Sequence, residues 1–327
     1  MASTDTHALA SGYETLLHGC GLLDRSDRGK LALTGTDAVD FLNGQVTNEL
    51  ASLAAGEGCY AAFLTHKGKM LGDVRILAAA GTDDDPPCEL LLDTERACLQ
   101  ALFDMIRRYK VGYDVELHKR TVESGLLSLI GPRAEEVAGV ELPGAEEHRH
   151  TRVAVAGVPA RAVRSDAGID LLCAASDTAA LAQALRARGA SPVAEEAAEC
   201  LRIERGHPRY GVDLDDGVIP QEAGLNERAV SFTKGCYVGQ ETVARLFYRG
   251  KPNRHLRGLQ LSQPLAPGAE LRLGERAVGR LTSSAVSPRL GPIGLALVRR
   301  EAEPGSTVQA GEEGASAEVL ELPFAGA

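Results

Sequence analysis

The sequence lacks several features that would indicate a nucleic-acid-binding or membrane protein. Its 35 Lys and Arg residues are outnumbered by 45 Asp and Glu residues, which gives a formal net charge of −10. Because no basic stripe offers the charge neutralisation that a nucleic-acid backbone requires, we predict no DNA or RNA partner. No uninterrupted apolar run approaches the roughly 20 residues that cross a bilayer, so we predict no membrane association.

Paired cysteines and an export signal are also missing. The 7 cysteines are an odd number, are widely scattered and include no C-x-x-C pair. This pattern favours reduced thiols in a cytosol, and it shows no Cys-rich zinc or cluster-ligating site, so we predict no bound metal. Met1 to Ala10 have neither a cationic flank nor an apolar core. We therefore expect an unexported, cytoplasmic protein.

What is present is the composition of a packed globular protein, with 44% hydrophobic and 24% charged residues. A chain of 327 residues is long for one hydrophobic core and predicts about two or three structural units. Strand and helix patterns alternate through Arg205, which indicates split β-α-β units of an α+β fold.

One hairpin and one short helix are predicted in the first part of the chain. Cys59–Thr65 and Met70–Ala79 read as strands, and Gly68 between them can take the positive φ of a tight turn. Thr36 is the predicted N-cap of a helix that ends at Gly44.

The next helix is predicted to start right after a strand. Cys88–Leu92 predicts this strand, and Asp93 or Thr94 is the predicted cap of the helix that follows. Apolar residues recur at helical spacing from Cys98 onward.

The last part of the chain has a different pattern. Between Gly206 and Thr233 the sequence is rich in Gly, Pro and Asp, which predicts an ordered loop close to the chemistry. From Arg254 onward, short strand-like runs alternate with Pro/Gly turns, as is typical of a small antiparallel β-barrel. We predict a domain boundary near Gly250, with an α+β region over residues 1–250 and a barrel over residues 251–327.

The strongest local motif is Lys234-Gly235-Cys236-Tyr237-Val238-Gly239-Gln240-Glu241, which precedes an apolar helical pattern. We expect the Cys236 thiol at a helix start, among partly positive amide groups and beside the charge of Lys234, as in a reactive thiol. Glu241 in the same turn opposes that effect. The alternative is that Cys236 is a small buried hydrophobic residue.

This octapeptide resembles the signature of the YgfZ family of folate-binding proteins related to the glycine-cleavage T-protein. Further similar segments cover nearly the whole chain: Leu22–Ser26, Phe41–Asn48, Phe63–Asp73, Arg209–Asp213 and Ile219–Glu222. The resemblance implies a three-lobed ring in which two ferredoxin-like α+β lobes and the C-terminal barrel surround a channel that accepts tetrahydrofolate.

The resemblance also implies roles for individual residues. Glu204 matches the T-protein glutamate that holds the amino edge of the pterin, and a carboxylate can accept paired N–H bonds from such an edge. Asp73 matches an acidic pair near the reactive folate nitrogen, but its neighbour here is Gly72, which puts aminomethyl transfer in doubt. From the residues alone, Glu204 can equally be an exposed helix glutamate and Asp73 an acid on the surface of a strand.

Further residues, within the matching motifs or in the helical pattern that follows the octapeptide, complete the predicted site. We expect Tyr210, Gln240 and Arg245 to contact the folate, and Cys236, Lys234 and Asp73 to be the candidate catalytic residues. The resemblance implies a tetrahydrofolate-binding accessory protein for the assembly, maintenance or repair of iron–sulfur enzymes, whose clusters belong to client proteins. Two alternatives stay open: an aminomethyltransferase-like enzyme and a non-catalytic folate-sensing module.

Two further motifs are assigned no site. His148-Arg149-His150 has no carboxylate or cysteine at ligand spacing and is expected to be a surface segment. Asp213–Gly217 resembles the start of a calcium loop, but Gly224 stands where the final glutamate belongs, so we expect a capped, solvated turn.

Overall fold

Two β-sheets and a closed barrel make up the fold of residues 2–80, 88–311 and 314–326, which a computed structural model describes. The chain opens with α1 (Ala2–His18) and β1 (Gly21–Asp24). It then forms one sheet, returns to complete the sheet that contains β1, and ends in the barrel. The fold class expected from the sequence, two α+β units and a C-terminal antiparallel barrel, is confirmed.

The first sheet is antiparallel, with strand order β3-β4-β5-β2-β6. Its elements are β2 (Gly29–Thr34), α2 (Ala38–Asn43), β3 (Gly58–Leu64), β4 (Met70–Ala79), β5 (Glu89–Thr94), α3 (Leu99–Tyr109) and β6 (Glu116–Lys119). The predicted hairpin is confirmed as β3 and β4, and Gly68 has φ 75° in its turn.

The second sheet has the order β11-β1-β7-β10-β9-β8. Its further elements are β7 (Ser124–Ile130), α4 (Ala134–Ala138), β8 (His150–Val155), β9 (Val158–Ser165), β10 (Gly168–Ala174), α5 (Thr178–Ala187) and β11 (Ser191–Pro192). Three helices then lead to the barrel: α6 (Glu195–Glu204), α7 (Asn226–Ala229) and α8 (Gln240–Arg249).

The barrel closes in the order β12-β15-β14-β13-β16-β17. Its strands are β12 (Arg254–Leu261), β13 (Glu270–Leu273), β14 (Arg276–Ser287), β15 (Gly291–Arg299), β16 (Thr307–Ala310) and β17 (Ala315–Leu320). Leu259, Leu271, Val298 and Val319 are among the apolar side chains that fill its core. Among the described residues, no helix is long and apolar enough to span a membrane. All seven cysteines lie in the described ranges and are unbridged.

Alternation along the strands gives each sheet one apolar and one polar face. In β4, Val74 and Ile76 pack into the core of the first sheet, whereas Asp73 and Arg75 point the other way. In β10 of the second sheet, Ile169 and Leu171 pack into the core, and Asp170 between them lies on the opposite, polar face. The two polar faces meet in the middle of the molecule, where Arg75 Nη1 donates to Asp170 Oδ2 at 2.5 Å.

Two predicted helix caps are wrong. The N-cap of α2 is Asp37, because the Thr36 hydroxyl donates instead to Asp114 Oδ2 at 2.8 Å. Asp93 and Thr94 are the last residues of β5, and α3 begins at Leu99. The end of α2 at Gly44 is confirmed.

Candidate functional site

A central cavity of about 680 Å³ lies between the two polar sheet faces. The sheets contribute Asp73 and Arg75 of β4 and Asp170 of β10. Helix α6 closes one side with Glu199 and Arg202, and the loop after α6 adds a further wall. A volume of this size lies within the roughly 300–1,000 Å³ of small-molecule sites.

Asp73 is a cavity carboxyl whose pKa is raised by its environment. It is 5% exposed, and burial raises its pKa to about 6, although the Tyr60 hydrogen bond and the positive charge of Arg28 act in the opposite direction. The Tyr60 hydroxyl donates to Asp73 Oδ2 at 2.8 Å, and the Thr94 hydroxyl donates to the Asp73 main-chain oxygen. A fixed carboxyl with a pKa near neutrality is suited to proton transfer.

The arginines around Asp73 are neutralised by other carboxylates. Arg28 donates to Asp93 at 2.8 Å and also pairs with Glu95. Arg75 pairs with Asp93 at 2.8 Å and with Asp170 at 2.5 Å. Since each arginine holds two carboxylates, the network fixes the wall of the cavity without leaving an unpaired positive charge at either position.

Tyr210 lies in the cavity wall as well. It is half-buried, and burial raises its pKa to about 12, so the phenol stays protonated and can donate. The structure therefore brings together Asp73 and Tyr210 of the predicted site residues.

Glu204 lies elsewhere. It is 1% exposed at the end of α6, and it does not belong to the cavity lining among the described residues. Its carboxylate accepts from the Tyr13 hydroxyl at 2.9 Å, from Ser287 Oγ at 2.5 Å and from Arg289 Nη2 at 2.9 Å. These contacts join α1, α6 and the barrel. On α6, Glu199 faces the cavity instead.

The segment around Cys236 is outside the cavity lining as well. Cys236 is exposed, but it precedes α8, which begins at Gln240. The preceding residue, Gly239, has a left-handed backbone conformation with φ 84°, so the helix does not extend back to Cys236. The expectation of a thiol in the first helical turn is therefore wrong. Gln240 is half-buried and Arg245 is exposed, both on α8.

Lys234 is buried and hydrogen-bonds the segment around Cys236 to residues 43–48. Its Nζ donates to the main-chain oxygens of Asn43 at 2.7 Å, Val46 at 3.0 Å and Asn48 at 2.5 Å, and to Asn43 Oδ1 at 2.9 Å. Four oxygen acceptors satisfy the ammonium group completely. Lys234 thus fixes the signature segment to the loop after α2.

Gly72, the neighbour of Asp73, has no room for a side chain. A Cβ atom there would lie 2.6 Å from Phe63 Cζ and 2.8 Å from Cys98 Sγ. The position of the second acid of the expected pair is therefore closed by packing.

The expectation of a surface segment at His148–His150 is wrong, and the expectation of a capped, solvated turn at Asp213–Gly217 is confirmed for Asp215–Gly217 but not for Asp213. His148 and His150 are 8% and 1% exposed, and His148 lines the cavity. Asp215 Oδ1 accepts from the Gly217 main-chain N–H at 2.8 Å in an exposed turn. Asp213, by contrast, is 3% exposed and accepts from Arg202 at 2.7 Å and from the barrel residue Ser283 at 2.6 Å. Within the described ranges, no group of three or more His, Cys, Asp or Glu residues could hold a metal ion.

Most residues of the cavity network carry no motif in the sequence that marks them as site residues. None of the following was predicted as a site residue: Arg28, Arg75, Asp93, Asp170 and His148. For Arg75, Asp93 and Asp170 a signal was available, since each is a charged residue within an otherwise apolar strand. Such charges are rarely buried unless they are paired.

Comparisons with known proteins agree with this architecture. Residues 3–234 match the GCVT N-terminal domain, and residues 254–325 match the glycine cleavage T-protein C-terminal barrel domain. The crystal structure of the glycine cleavage system aminomethyltransferase T from Bartonella henselae superposes with a TM-score of 0.85 at 24% identity, over 97% of this chain and 89% of that one. This likeness shows the fold.

Named relatives are similar over nearly the full chain. An aminomethyltransferase of Rubrobacter xylanophilus is 31% identical over 95% of this chain and 85% of its own length. A chloroplastic protein of Arabidopsis thaliana with a provisional transferase name is 30% identical over 94% of this chain and 72% of its own length. The chain therefore belongs to the glycine cleavage T-protein (GCVT) family.

Proposed function

We propose that the central cavity binds tetrahydrofolate. The observation that carries this proposal is a cavity of about 680 Å³ in a glycine cleavage T-protein family chain, with the buried Asp73 carboxyl in its wall. The donor set fits a pterin, because carboxylates accept N–H groups of an aminopyrimidine ring and the Tyr210 phenol can donate to a ring heteroatom. Asp73 would hold or accept a proton at its carboxyl oxygens, and Tyr60 fixes their orientation.

A calorimetric titration with tetrahydrofolate under anaerobic conditions tests this proposal. We expect saturable binding by the wild-type protein and at least about tenfold weaker binding by Asp73→Asn, since a charged hydrogen-bond partner is lost. Asp104→Asn is the matched control, because Asp104 is a half-exposed α3 carboxylate outside the cavity. Unchanged affinity in Asp73→Asn would remove Asp73 from the site, and no wild-type binding would end the proposal.

The same titration with Glu204→Gln separates two roles for Glu204. If Glu204 contacts the pterin, as the resemblance implies, the variant loses affinity without loss of stability. If it joins α1 to the barrel, the variant is destabilised, and its affinity at a temperature where it is folded is unchanged. Its partners Tyr13, Ser287 and Arg289 support the second outcome.

We further propose that the chain is a YgfZ-type protein that supports iron–sulfur enzymes in the cytosol. The support for this proposal is the Lys234–Glu241 signature, with an exposed thiol at Cys236, and the closed position at Gly72. In a strain that depends on this protein, Cys236→Ala is expected to lower the activity of cluster-containing enzymes. Cys88→Ala, which changes another exposed cysteine, is expected to have no effect. Full enzyme activity in the Cys236→Ala strain would remove the thiol from the function.

Aminomethyl transfer to tetrahydrofolate is the second candidate function. Relatives named aminomethyltransferases, one of them 31% identical, favour it. The pair Gly72-Asp73 weighs against it, because the packing around Gly72 leaves no space for a second acidic side chain beside Asp73. The test is formation of methylene-tetrahydrofolate from an aminomethylated lipoyl carrier. Turnover that is abolished in Asp73→Asn would make this the function, and no turnover at saturating substrate would exclude it.

A further inference from the structure

His148 combines three features that the proposed function does not use. It lies in the cavity wall and is 8% exposed. Its φ is 71°, a left-handed conformation that, within the described part of the chain, only one other non-glycine residue adopts, Ala156 with φ 50°. Such backbone strain costs folding free energy and persists where the surrounding structure enforces it, often at ligand sites.

The surroundings of His148 fix its backbone but leave one ring nitrogen without a hydrogen bond within the described residues. The main-chain N–H of His148 donates to the Arg164 main-chain oxygen at 2.9 Å, and the ring nitrogen Nε2 lies 3.6 Å from Glu147 Oε1. Nδ1 is buried and has no hydrogen-bond partner among the described residues. Burial, together with the charges of Arg75 and Arg228, lowers the pKa of His148 to about 4, although Glu147 and Asp170 act in the opposite direction. The imidazole is therefore neutral at physiological pH.

Arg75 presents a second unused group in the same wall. Its Nε and Nη2 are buried without a hydrogen-bond partner in the described chain, although Nη2 lies 2.8 Å from Asp93 Oδ2 in an ion pair and Nη1 donates to Asp170. Those two carboxylates already balance the guanidinium charge. A ligand group that accepts from this Nε–H therefore does not need to be an anion.

We propose that His148 and Arg75 form a subsite of the cavity for an uncharged group with hydrogen-bonding heteroatoms. An acceptor atom of that group receives the Arg75 Nε–H, and a neighbouring atom pairs with His148 Nδ1. The inference rests on the proposed function, because tetrahydrofolate is the molecule expected in the cavity. Two parts of that molecule have this chemistry: the amide edge of the pterin and the amide that links benzoyl to glutamate. The glutamate carboxylates do not suit the subsite.

Three variants of His148 test the subsite through tetrahydrofolate calorimetry and thermal unfolding. His148→Gly removes the ring, so we expect at least about tenfold weaker binding, measured below the melting temperature of the variant because loss of the buried ring opposes the relief of strain. Asn tolerates a left-handed φ, and its amide lies where Nδ1 lies in histidine. His148→Asn should therefore stay within about threefold of wild-type affinity. The amide of His148→Gln reaches the Nε2 position instead, so this variant should bind as weakly as His148→Gly.

Ala156→Gly is the matched control. It relieves the same kind of strain in the exposed turn between β8 and β9, outside the cavity lining. We expect it to raise the melting temperature and leave binding unchanged. Wild-type affinity in His148→Gly would overturn the subsite alone, as would equal affinities of His148→Asn and His148→Gln. Absence of tetrahydrofolate binding by the wild-type protein would overturn the proposed function, and this inference with it.

Competition with a tetrahydropterin that lacks the benzoylglutamate distinguishes the two sources of the uncharged group. If His148→Gly weakens the tetrahydropterin by the same factor as tetrahydrofolate, the subsite holds the pterin edge. If only tetrahydrofolate is weakened, it holds the linking amide.

Discussion

Asp73 links the stability of the protein to pH through its burial. Its pKa is raised from 3.8 to about 6 in the folded protein, mainly by desolvation. The folded state therefore binds this proton more tightly than the unfolded state does. The stability that the protonated group contributes is fully present below pH 3.8 and is lost as the pH rises to about 6.

The substitution Asp73→Asn tests this linkage, because an amide resembles the protonated acid at every pH. A shift of about two pKa units corresponds to about 3 kcal/mol. We expect Asp73→Asn to raise the free energy of unfolding by up to about 3 kcal/mol at pH 7.5 and by little at pH 4. Urea denaturation at both values measures the difference. Asp104→Asn should show no such gain at pH 7.5, and an equal effect of Asp73→Asn at both pH values would contradict the linkage.

At the scale of single elements, the β3–β4 hairpin contains a glycine, Gly72, whose surroundings leave no space for a side chain. A Cβ at Gly72 would lie 2.6 Å from Phe63 Cζ and 2.7 Å from Cys98 Cβ, and both neighbours are fully buried. We expect Gly72→Ala to lower the free energy of unfolding by about 1–3 kcal/mol, through forced shifts in this core.

The matched control for Gly72 is Gly235→Ala. No atom lies within 4 Å of a Cβ built at Gly235, so a change within about 0.5 kcal/mol is expected there. Chemical denaturation of both variants measures the difference. Wild-type stability of Gly72→Ala would show that the site can accommodate a second side chain, and the argument against an acidic pair would lose its structural basis.

Local sequence signals predicted elements well where local forces decide them. The β3–β4 hairpin follows from strand alternation and from the positive φ available to Gly68, and both are confirmed. The start of α3 was mispredicted because Asp93 looks like a helix cap, whereas its carboxylate pairs with Arg28 in the turn before β2 and with Arg75 on β4. Tertiary ion pairs of this kind leave no mark in the local pattern.

At the scale of the whole molecule, the cavity is built from residues far apart in the chain. Arg75 of β4 and Asp170 of β10 are 95 positions apart, and both line the cavity together with Arg202 of α6. Resemblance predicted the fold and placed Asp73 and Tyr210 in matching motifs. It could not reveal that His148 turns inward, because that follows from a strained backbone and from the meeting of two sheets.

Arg202 connects the cavity to the barrel and allows this architecture to be tested. Its guanidinium donates to Glu199 on α6 at 2.9 Å, to Asp213 at 2.7 Å and to Ser283 of β14 at 2.7 Å. The Asp213 side chain is 0% exposed, so Arg202→Met leaves a buried carboxylate without its cation. We expect a loss of about 3–5 kcal/mol in the free energy of unfolding, measured by urea denaturation.

Two matched variants identify the source of this loss. Arg276→Met breaks a barrel ion pair whose side chains are 59% and 38% exposed, so a loss of at most about 1 kcal/mol is expected. Adding Asp213→Asn to Arg202→Met removes the unpaired charge and should restore part of the stability, since the two sites are coupled. If the double variant is no more stable than Arg202→Met, the loss comes from packing and not from the buried charge. Tetrahydrofolate affinity is then compared between the double variant and the wild-type protein. Weaker binding by the double variant would show that the link between α6 and the barrel holds the cavity wall in place.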